Sequence, residues 1–337
     1  IILSSPVLSA SKMQQLETLD DPAFKMARID LNYDRTLELS DAIVAICEQV
    51  ADNIRSGNTL IVLSDKDIDA DKVPANAIMV TGAVHHYLIA QGIRTDANLI
   101  IETGLARDSH QIAVLIGFGA TCVYPYLAYD VIDDLVATGE LLGDPIQARV
   151  NFRKGLDKGL LKILSKMGIS TIVSYRGAQL FEAVGLSEEV VNLCFKGVQS
   201  RIKGATFADL AADQAQLAAN AFKRRAPLDQ GGLLKFVFNK EYHAFNPDVI
   251  NSLHTAVRTG DYDNYRNYAD LVNSRPVATL RDLLQLKTDN SIDVNEVEDI
   301  SEILTRFDSA GMSLGALSPE AHESIAMAMN TIGGRSN

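Results

Sequence analysis

Apolar residues recur at three- and four-residue steps between Ile43 and Ile54, which predicts a helix that begins near Thr36. The unbroken apolar run Thr59–Asp65 follows that helix after a glycine–asparagine pair. A run of this kind is typical of a strand covered on both faces, as strands of parallel sheets are. The preceding segment, Ile1–Arg35, has no such pattern and contains two prolines, so an irregular arm is predicted there.

The alternation of helix and apolar strand continues through the middle of the chain. The predicted helices are Ala75–Gln91, Ser109–Ile116, parts of Val131–Met167, and one from about Ala178. The predicted strands are Asn98–Gly104, Thr121–Ala128 and Ser170–Gly177. Successive βα units favour parallel strands with covering helices, in an open sheet or in a partial barrel. Ligands of such folds bind at the carboxyl ends of the strands, where this chain places polar and small residues.

The pattern changes after Gly185, where it becomes helical and less regular through about Asn251–Thr259. The polar, tyrosine-rich segment Gly260–Pro276 is predicted to be a surface connection or an interface segment. The last residues predict a strand at Met312–Gly315 and then a helix, for which Ser318 is a strong N-cap.

Composition and charge narrow the possible functions. The 337 residues are 47% hydrophobic and 22% charged, with a formal net charge of −12. This acidic balance, without a basic stripe, disfavours nucleic acid binding, which needs clustered Lys and Arg. The run Phe222–Pro227 holds three basic residues and is predicted to be a solvated helix end.

Neither a membrane span nor a metal site is predicted. The stretch Gln111–Tyr129 carries no charge, but glycines and a proline interrupt it, which favours a buried helix followed by a buried strand. Cys47, Cys122 and Cys194 lie far apart in apolar stretches and are predicted to be buried, inert thiols. The six histidines form no H-x-x-x-H pair, and the first residues have no pattern of a signal peptide.

Polar residues cluster at Glu102–His110, and two interpretations of this cluster stay open. In the first, the cluster is a catalytic site at a strand end. In the second, it caps a helix and forms ion pairs, with Asp108 or Ser109 as the N-cap. Arg176, after the last predicted strand, similarly indicates an anion site or the start of a packed helix. A free-standing α/β enzyme would use the following four residues: Glu102, Arg107, His110 and Arg176.

Several long stretches carry a resemblance to a known family. They read LIVLSDKD, HHYLIAQGIR, LIIETGLARDSHQIAVLIGFGATCVYPYLA, GISTIVSYRGAQLFEAVGL and, at the end, GMSLGALSPEAHESIAMAMNTIGGRSN. In these stretches the chain closely resembles the large-subunit family of glutamate synthase, over essentially its whole length. The earlier stretches resemble the central domain of that family, and the last one resembles the start of its FMN-binding barrel domain.

The resemblance implies a fold and a domain organisation. The fold would be a degenerate or partial (β/α) barrel, related to the FMN-binding barrel, with a helical extension. The central domain would cover 1–305, with an entry arm at 1–35, βα units at 36–185, and a helical part with a linker at 186–305. Residues 306–337 would begin the FMN-binding domain, so the chain looks like a piece cut after the first βα unit of that domain.

The resemblance also implies an activity for the complete enzyme, which makes two glutamates from glutamine and 2-oxoglutarate. Ammonia released by a glutaminase domain, a glutamine amidotransferase, would travel internally to a flavin site. The central domain would connect the two catalytic domains and would be inactive alone. FMN and an iron–sulfur cluster belong to the complete enzyme, and no cofactor is expected in this piece. Met312 and Ser313 match the barrel strand that lies against the flavin, and Arg335–Asn337 begin a segment near the flavin and the ammonia exit.

The implied partners are the glutaminase and FMN domains of the same polypeptide and a small NADPH-oxidising subunit, without nucleic acid or membrane. A cytoplasmic oxidoreductase of glutamate biosynthesis and ammonia assimilation is expected. The sequence leaves open whether NADPH or ferredoxin is the electron donor. A compatible hypothesis is that the tyrosine-rich segment Tyr262–Tyr268 docks a neighbouring domain or subunit.

Overall fold

The computed structural model describes residues 1–223 and 231–337, and the chain divides into two compact units, Ile1–Pro227 and Leu228–Asn337. From residue 224 onward, the basic run Phe222–Pro227 lies outside the described residues. Its predicted solvated helix end therefore stays a prediction.

Half of the eight strands described in the first unit belong to one parallel sheet. The strands are β1 (Met26–Asp30), β2 (Asn32–Asp34), β3 (Leu60–Ser64), β4 (Lys72–Pro74), β5 (Asn98–Glu102), β6 (Cys122–Tyr124), β7 (Glu182–Leu186) and β8 (Gln199–Ala205). Four of them form a parallel sheet in the order β1-β3-β5-β6. Strands β2 and β4 pair antiparallel, and β7 and β8 form a separate parallel pair.

Helices flank this sheet, and helices are also the main regular secondary structure described in the second unit. In the first unit they are α1 (Ala10–Glu17), α2 (Leu39–Arg55), α3 (Ala77–Ala90), α4 (Ser109–Gly117), α5 (Tyr126–Ala137), α6 (Pro145–Met167), α7 (Ile172–Tyr175), α8 (Glu188–Cys194) and α9 (Phe207–Ala221). In the second unit they are α10 (Pro247–Thr259), α11 (Tyr262–Ser274), α12 (Ile300–Leu304) and α13 (Pro319–Thr331). Short 3-10 turns lie at Pro22–Phe24, Arg94–Asp96, Leu280–Leu283 and Val294–Glu296.

The spatial order of the four central strands follows their order in the chain, and this fixes where the helices lie. Right-handed crossovers between such strands place α2, α3 and α4 on one face of the sheet, where they bury residues such as Ile61 and Leu99. A doubly wound sheet would reverse its strand order and use both faces. The predicted α/β fold with parallel strands is therefore confirmed, and its winding is that of one arc of a (β/α) barrel.

The opposite face of the sheet is covered by the N-terminal segment. Leu8, Met13 and Leu16 pack there against Val62 and Ile100. The prediction of an irregular arm at 1–35 is therefore wrong, because this segment contains α1, β1 and β2. Strand β1 lies at the sheet edge and alternates polar with apolar residues, so it lacks the continuous apolar run that marks the central strands.

The predicted strand Ser170–Gly177 is also wrong, because a short helix, α7, takes its place. The Thr171 hydroxyl caps that helix by accepting a hydrogen bond from the Ser174 amide at 3.4 Å. Val173 is 70% exposed, so the apolar letters of this stretch do not mark a buried strand. The helix predicted from Ala178 is replaced by β7, and its partner β8 was missed because its sequence is polar and mostly exposed.

The strand predicted at Thr121–Ala128 is real but shorter. It ends at Tyr124, and Pro125 is the N-cap of α5. Proline has no amide hydrogen for a strand ladder, so the strand stops there. The uncharged stretch Gln111–Tyr129 thus contains most of α4, then β6 and the start of α5. No helix within 1–223 or 231–337 is long and apolar enough to cross a membrane.

In the second unit, the segment predicted to be a polar connection forms helix α11. Tyr262, Tyr265 and Tyr268 lie on one side of it, with neighbouring ring centroids 5.8 and 6.1 Å apart. Tyr262 and Tyr265 are exposed, and the docking role of this stripe stays a prediction.

Helix α13 matches its prediction, since the Ser318 side chain accepts a hydrogen bond from the Ala321 amide at 3.3 Å. Met312–Gly315 does not form the predicted strand, because residues 231–337 contain no β-strand with which it could pair. The segment turns instead, and the Gly315 amide donates to the Ser313 hydroxyl at 3.1 Å. The predicted domain boundary at 305/306 lies inside this unit and stays a prediction.

Candidate functional site

A buried carboxylate, Glu102, ends strand β5 on the face that α1 covers. Its side chain is 2% exposed and accepts hydrogen bonds from Arg28 on β1 and from the Ser64 hydroxyl at the end of β3. Arg28 also pairs with Glu17 at the end of α1. These contacts join α1 to three neighbouring strands, so the Glu102 carboxylate helps to hold the N-terminal segment on the sheet.

A second buried carboxylate, Asp65, directly follows β3. It accepts hydrogen bonds from the Thr103 hydroxyl and, at 2.9 Å, from the Gly104 amide. Burial raises the pKa of Asp65, and hydrogen bonds from Thr103, Gly104 and Tyr126 oppose that rise. The carboxylate thereby fixes the loop that leaves β5, and Lys66 lies over the Tyr126 ring beside it, 5.7 Å from the ring centroid.

Arg107 and His110 line a cavity that Glu102 does not reach. This cavity of about 280 Å³ lies between the start of α3 and helix α4. Thr103 also lines this cavity, whereas Glu102, the preceding residue of the strand, does not. Successive side chains of a strand point to opposite faces, so Glu102 faces α1 while Thr103 faces the helices.

Arg176 lies at the other end of the sheet. Its Nη1 donates to the Thr121 hydroxyl at 3.1 Å, just before β6 begins. The hypothesis of a site formed by Glu102, Arg107, His110 and Arg176 is therefore wrong, because these side chains do not converge. The reason is local, since the expected strand before Arg176 is the short helix α7, which does not carry this residue to the carboxyl edge.

The alternative interpretation of the strand-end cluster is confirmed in part. Asp108 is the N-cap of α4, and its side chain accepts a hydrogen bond from the Gln111 amide at 2.8 Å. The expected ion pair exists, but Glu102 forms it with Arg28, 74 positions away along the chain, and not with Arg107. Sequence reasoning missed Arg28. The only available signal was that the polar residues Arg28 and Asp30 alternate with the apolar residues Ala27 and Ile29 in an edge strand.

A cationic cluster surrounds His85 at the amino end of the sheet. The Arg94 Nε donates to the His85 Nδ1 at 2.9 Å, and the Arg94 Nη2 donates to the Gly119 carbonyl at 2.8 Å. Gly119 and Gly177 both have positive φ, and a Cβ at Gly119 would overlap the His85 ring. Burial, followed by the charges of Arg94, His86 and Arg176, lowers the pKa of His85 to about 4.

This lowered pKa predicts a loss of stability in mild acid. Above the unfolded value of 6.5, His85 is neutral in both states and its contribution is fully present. As the pH falls from 6.5 toward 4, the unfolded state binds the proton first and folding is disfavoured. The full shift corresponds to roughly 3 kcal/mol, and solvent screening of the partly exposed ring reduces the expected change to about 2 kcal/mol.

Urea unfolding followed by circular dichroism at several pH values measures the effect. His85→Gln will flatten the profile between pH 6.5 and 4, and His254→Gln, on the exposed side of α10, will leave it unchanged. A His85→Gln profile parallel to that of the unaltered chain would contradict the assignment.

The three thiols have no exposed, activated position. All three cysteines are buried, and burial raises the pKa of Cys47 and Cys194 to about 12 and that of Cys122 to about 11. A thiol becomes a nucleophile or a metal ligand as its thiolate, which burial disfavours here. The predicted burial of the thiols is confirmed, and their lack of reactivity stays a prediction. Within the described ranges, no group of three or more His, Cys, Asp or Glu residues is placed to hold a metal ion.

The fold and the strand-end contacts define a singly wound α/β domain whose strand-end carboxylates bind its own residues. Residues 1–187 match the family model described as the glutamate synthase central domain. Residues 243–337 match a second model, described as a conserved region in glutamate synthase. The chain therefore belongs to the glutamate synthase family.

Curated relatives match the chain from end to end. It is 40% identical over 352 residues to a ferredoxin-dependent glutamate synthase of Antithamnion sp. and 38% identical over 356 residues to the chloroplastic ferredoxin-dependent enzyme of Spinacia oleracea. It is 36% identical over 342 residues to the NADPH glutamate synthase large chain of Bacillus subtilis (strain 168). Each alignment covers 100% of this chain but only 22–23% of the relative. The chain thus spans less than a quarter of the length of these relatives.

Solved structures resemble the chain more distantly. A mutant flavocytochrome b2 with benzoylformate has a TM-score of 0.33 and 13% identity, over 50% of this chain and 37% of that one. A dihydroorotate dehydrogenase (DHODH) from Eimeria tenella with ferulenol has a TM-score of 0.31 and 14% identity, over 46% of this chain and 38% of that one. Similarity at this level does not bear on function.

Proposed function

We propose that this chain is the connecting region of a glutamate synthase, which makes two glutamates from glutamine and 2-oxoglutarate. It would join a glutaminase domain to an FMN-binding domain and help to enclose the path of ammonia between them. The observation that carries the proposal is the consecutive match of two glutamate synthase models, to 1–187 and 243–337. We keep the predicted boundaries as part of this proposal, with the central domain at 1–305 and the start of the FMN domain at 306–337.

The contacts inside the first unit support a connecting role over a catalytic one. Its strand-end carboxylates, Glu102 and Asp65, bind neighbouring side chains and backbone amides. Side chains used in this way preserve the geometry of a scaffold, and these two carboxylates are therefore poorly placed to exchange a proton with a substrate. The buried thiols do not provide the cysteine nucleophile of a glutaminase either.

The FMN contact of this chain is proposed for Met312 and Ser313. Ser313 is exposed and Met312 is half-buried, and a Cβ added at the nearby Gly315 would meet only the Ser313 hydroxyl, at 3.5 Å. This open backbone fits close approach of a flat ring, so these residues suit the edge of a flavin site. Bound FMN would supply the redox chemistry, while Met312 and Ser313 would contact and orient its ring. The iron–sulfur cluster of the complete enzyme is assigned to other parts of the polypeptide.

A domain exchange tests the connecting role. The matching segment of the Bacillus subtilis large chain is replaced by residues 1–337, and glutamine-dependent glutamate formation is compared with release of free ammonia. We expect the hybrid to form glutamate with little ammonia release, and the isolated chain to have no glutaminase activity and no bound flavin. Turnover by the isolated chain, or stoichiometric flavin in it, would contradict the proposal.

The FMN contact is tested in the same hybrid enzyme. Met312→Ala will lower flavin content or shift the flavin absorbance spectrum, because the side chain would lie against the ring. Met327→Ala is the matched control, since Met327 is 69% exposed on α13. Equal spectra for the two variants would argue against the contact.

The electron donor and the compartment stay proposals. The relatives include both ferredoxin-dependent and NADPH types, and the one from Spinacia oleracea is chloroplastic. We retain the small NADPH-oxidising subunit and a cytoplasmic location as predictions for the full-length protein. Copurification of a flavoprotein subunit would support the first, and strict dependence on reduced ferredoxin would contradict it.

A further inference from the structure

The N-terminal segment closes the sheet on the side of β6 and leads directly into α1. Val7 forms a parallel bridge with Val123, and the Leu8 amide donates to the Val123 carbonyl at 2.9 Å. The segment therefore runs in the same direction as the strands, and α1 begins at their carboxyl edge. Ligands of open α/β sheets bind outside this edge.

A cavity of about 400 Å³ lies at this position, between the start of α1 and helix α6. Tyr129 closes one side, and its hydroxyl donates to the Leu8 carbonyl at 2.9 Å. The Ser5 hydroxyl donates to the Asp157 carboxylate of α6, which fixes the N-terminal segment against that helix. The cavity is thus bounded by elements that are held together, and its volume lies in the range of small-molecule sites.

Positive charge dominates the lining of this cavity. Three of its ten lining residues are cationic, three are serines, and none is acidic: Lys12, Arg149 and Arg153, with Ser4, Ser9 and Ser11. This is unusual in a chain whose formal net charge is −12. Clustered guanidinium and ammonium groups repel one another, so an anion placed between them stabilises the arrangement.

Of these three cations, Arg149 alone has a carboxylate partner among the described residues. The Arg149 Nε lies 3.3 Å from the Asp133 carboxylate, and the Lys12 Nζ donates only to the Gln15 amide oxygen, at 2.9 Å. Arg153, one helical turn beyond Arg149, has no carboxylate within 4.0 Å among the described residues. Its planar fork of donors suits carboxylate or phosphate oxygens, to which arginine binds in bidentate fashion.

The serines provide neutral donors on the facing wall. The Ser9 hydroxyl caps α1 by accepting a hydrogen bond from the Lys12 amide at 3.3 Å, and it lies 3.0 Å from the Ser11 hydroxyl. No acidic residue occupies the first turn of α1, where acids are otherwise favoured. The wall therefore offers hydroxyl groups and positive potential together, which is what an oxyanion requires.

We propose that this cavity binds a small oxyanion, a phosphate ester or a polycarboxylate, between Arg153 and Arg149 of α6 and Lys12 of α1. None of its lining residues is one of the strand-end carboxylates or belongs to the proposed flavin contact. It joins the N-terminal segment to α6, so its occupancy would stabilise the docking of that segment.

Isothermal titration of the chain with inorganic phosphate and with citrate, at constant ionic strength and pH 7.5, tests the site. We expect one saturable site for at least one probe. If phosphate binds and citrate does not, the natural ligand is assigned as a phosphate ester. If citrate binds, whether or not it displaces phosphate, the ligand is assigned as a polycarboxylate. No saturable binding of either probe at millimolar concentration would overturn the proposal.

Substitutions in α6 distinguish binding at this site from non-specific attraction of anions to positive charge. Arg153→Gln will weaken binding at least tenfold through loss of charge-assisted hydrogen bonds, and Arg153→Lys will fall between this variant and the unaltered chain. Lys154→Gln removes the same charge from an exposed neighbour that does not line the cavity, and it will leave affinity within twofold. Equal weakening by Arg153→Gln and Lys154→Gln, with unchanged unfolding in chloride buffer, would reduce the effect to non-specific attraction and overturn the proposal.

Discussion

Replacing Arg28 with alanine will lower the free energy of unfolding by about 2–3 kcal/mol, because it leaves the Glu102 carboxylate without its cationic partner. Glu102 is 2% exposed, and the Ser64 hydroxyl alone does not replace the charge. Removing one partner of a fully buried ion pair lowers the free energy of unfolding by more than this. The Arg28 side chain is 41% exposed, so the expected loss is smaller here. Urea unfolding followed by far-ultraviolet circular dichroism measures the loss.

Two further variants test the reason for this loss. Arg55→Ala removes an arginine whose partner, Asp52, is exposed, and it will cost less than about 1 kcal/mol. Glu102→Gln combined with Arg28→Ala will recover part of the stability, since a neutral amide is cheaper to bury than a lone carboxylate. If the double variant is no more stable than Arg28→Ala, the unpaired charge is not the cause.

Gly82→Ala will destabilise the first unit by about 3 kcal/mol through steric overlap. Gly82 lies inside α3, and a Cβ at this position would collide with the carbonyl oxygen of Cys194 at the end of α8. Backbone cannot yield as the end of a flexible side chain can, so α8 must move away from α3. Loss of the α3–α8 contact will also raise amide exchange in α8, which mass spectrometry can detect.

The matched control is Gly155→Ala in α6. No heavy atom lies within 4 Å of a Cβ at Gly155, so the substitution adds helix propensity without overlap. We expect it to stabilise the protein by about 0.5–1 kcal/mol. Similar effects of the two alanines would show that helix propensity, rather than the close approach of α8, governs Gly82.

The central βα units could be predicted because burial on both faces leaves a direct trace in the sequence. Strands β3 and β5 are continuous apolar runs, and α2 carries a clear helical stripe. Strand β1 lies at the edge of the sheet and contains Arg28, so its burial pattern is only partial. At Ser170–Gly177 a strand was predicted where the structure has a helix. The apolar residues of this stretch are only partly buried, and the Thr171 side chain caps the helix α7.

The polar contacts were harder to predict than the elements that carry them. The position of Glu102 at a strand end followed from the strand pattern, and its neighbour Arg107 was the natural candidate for a partner. The actual partner comes from β1, because parallel strands bring residues far apart in sequence to one face of the sheet. No local spacing encodes such a pair. Arg176 lies away from the other residues of the predicted cluster for a different reason, because the short helix α7 replaces the strand that was expected before it.

The bridge between Val7 and Val123 has a consequence for synthesis of the chain. The residues around Val7 cannot dock until β6 has formed, and the contacts of Tyr129 with Leu8 and of Asp157 with Ser5 require still later residues. During synthesis, the residues around Val7 must therefore wait for more than a hundred later ones, with their apolar side chains exposed in the meantime. Slow translation through α5 and α6 would prolong this interval, and a chaperone that shields residues 1–17 would have its largest effect there.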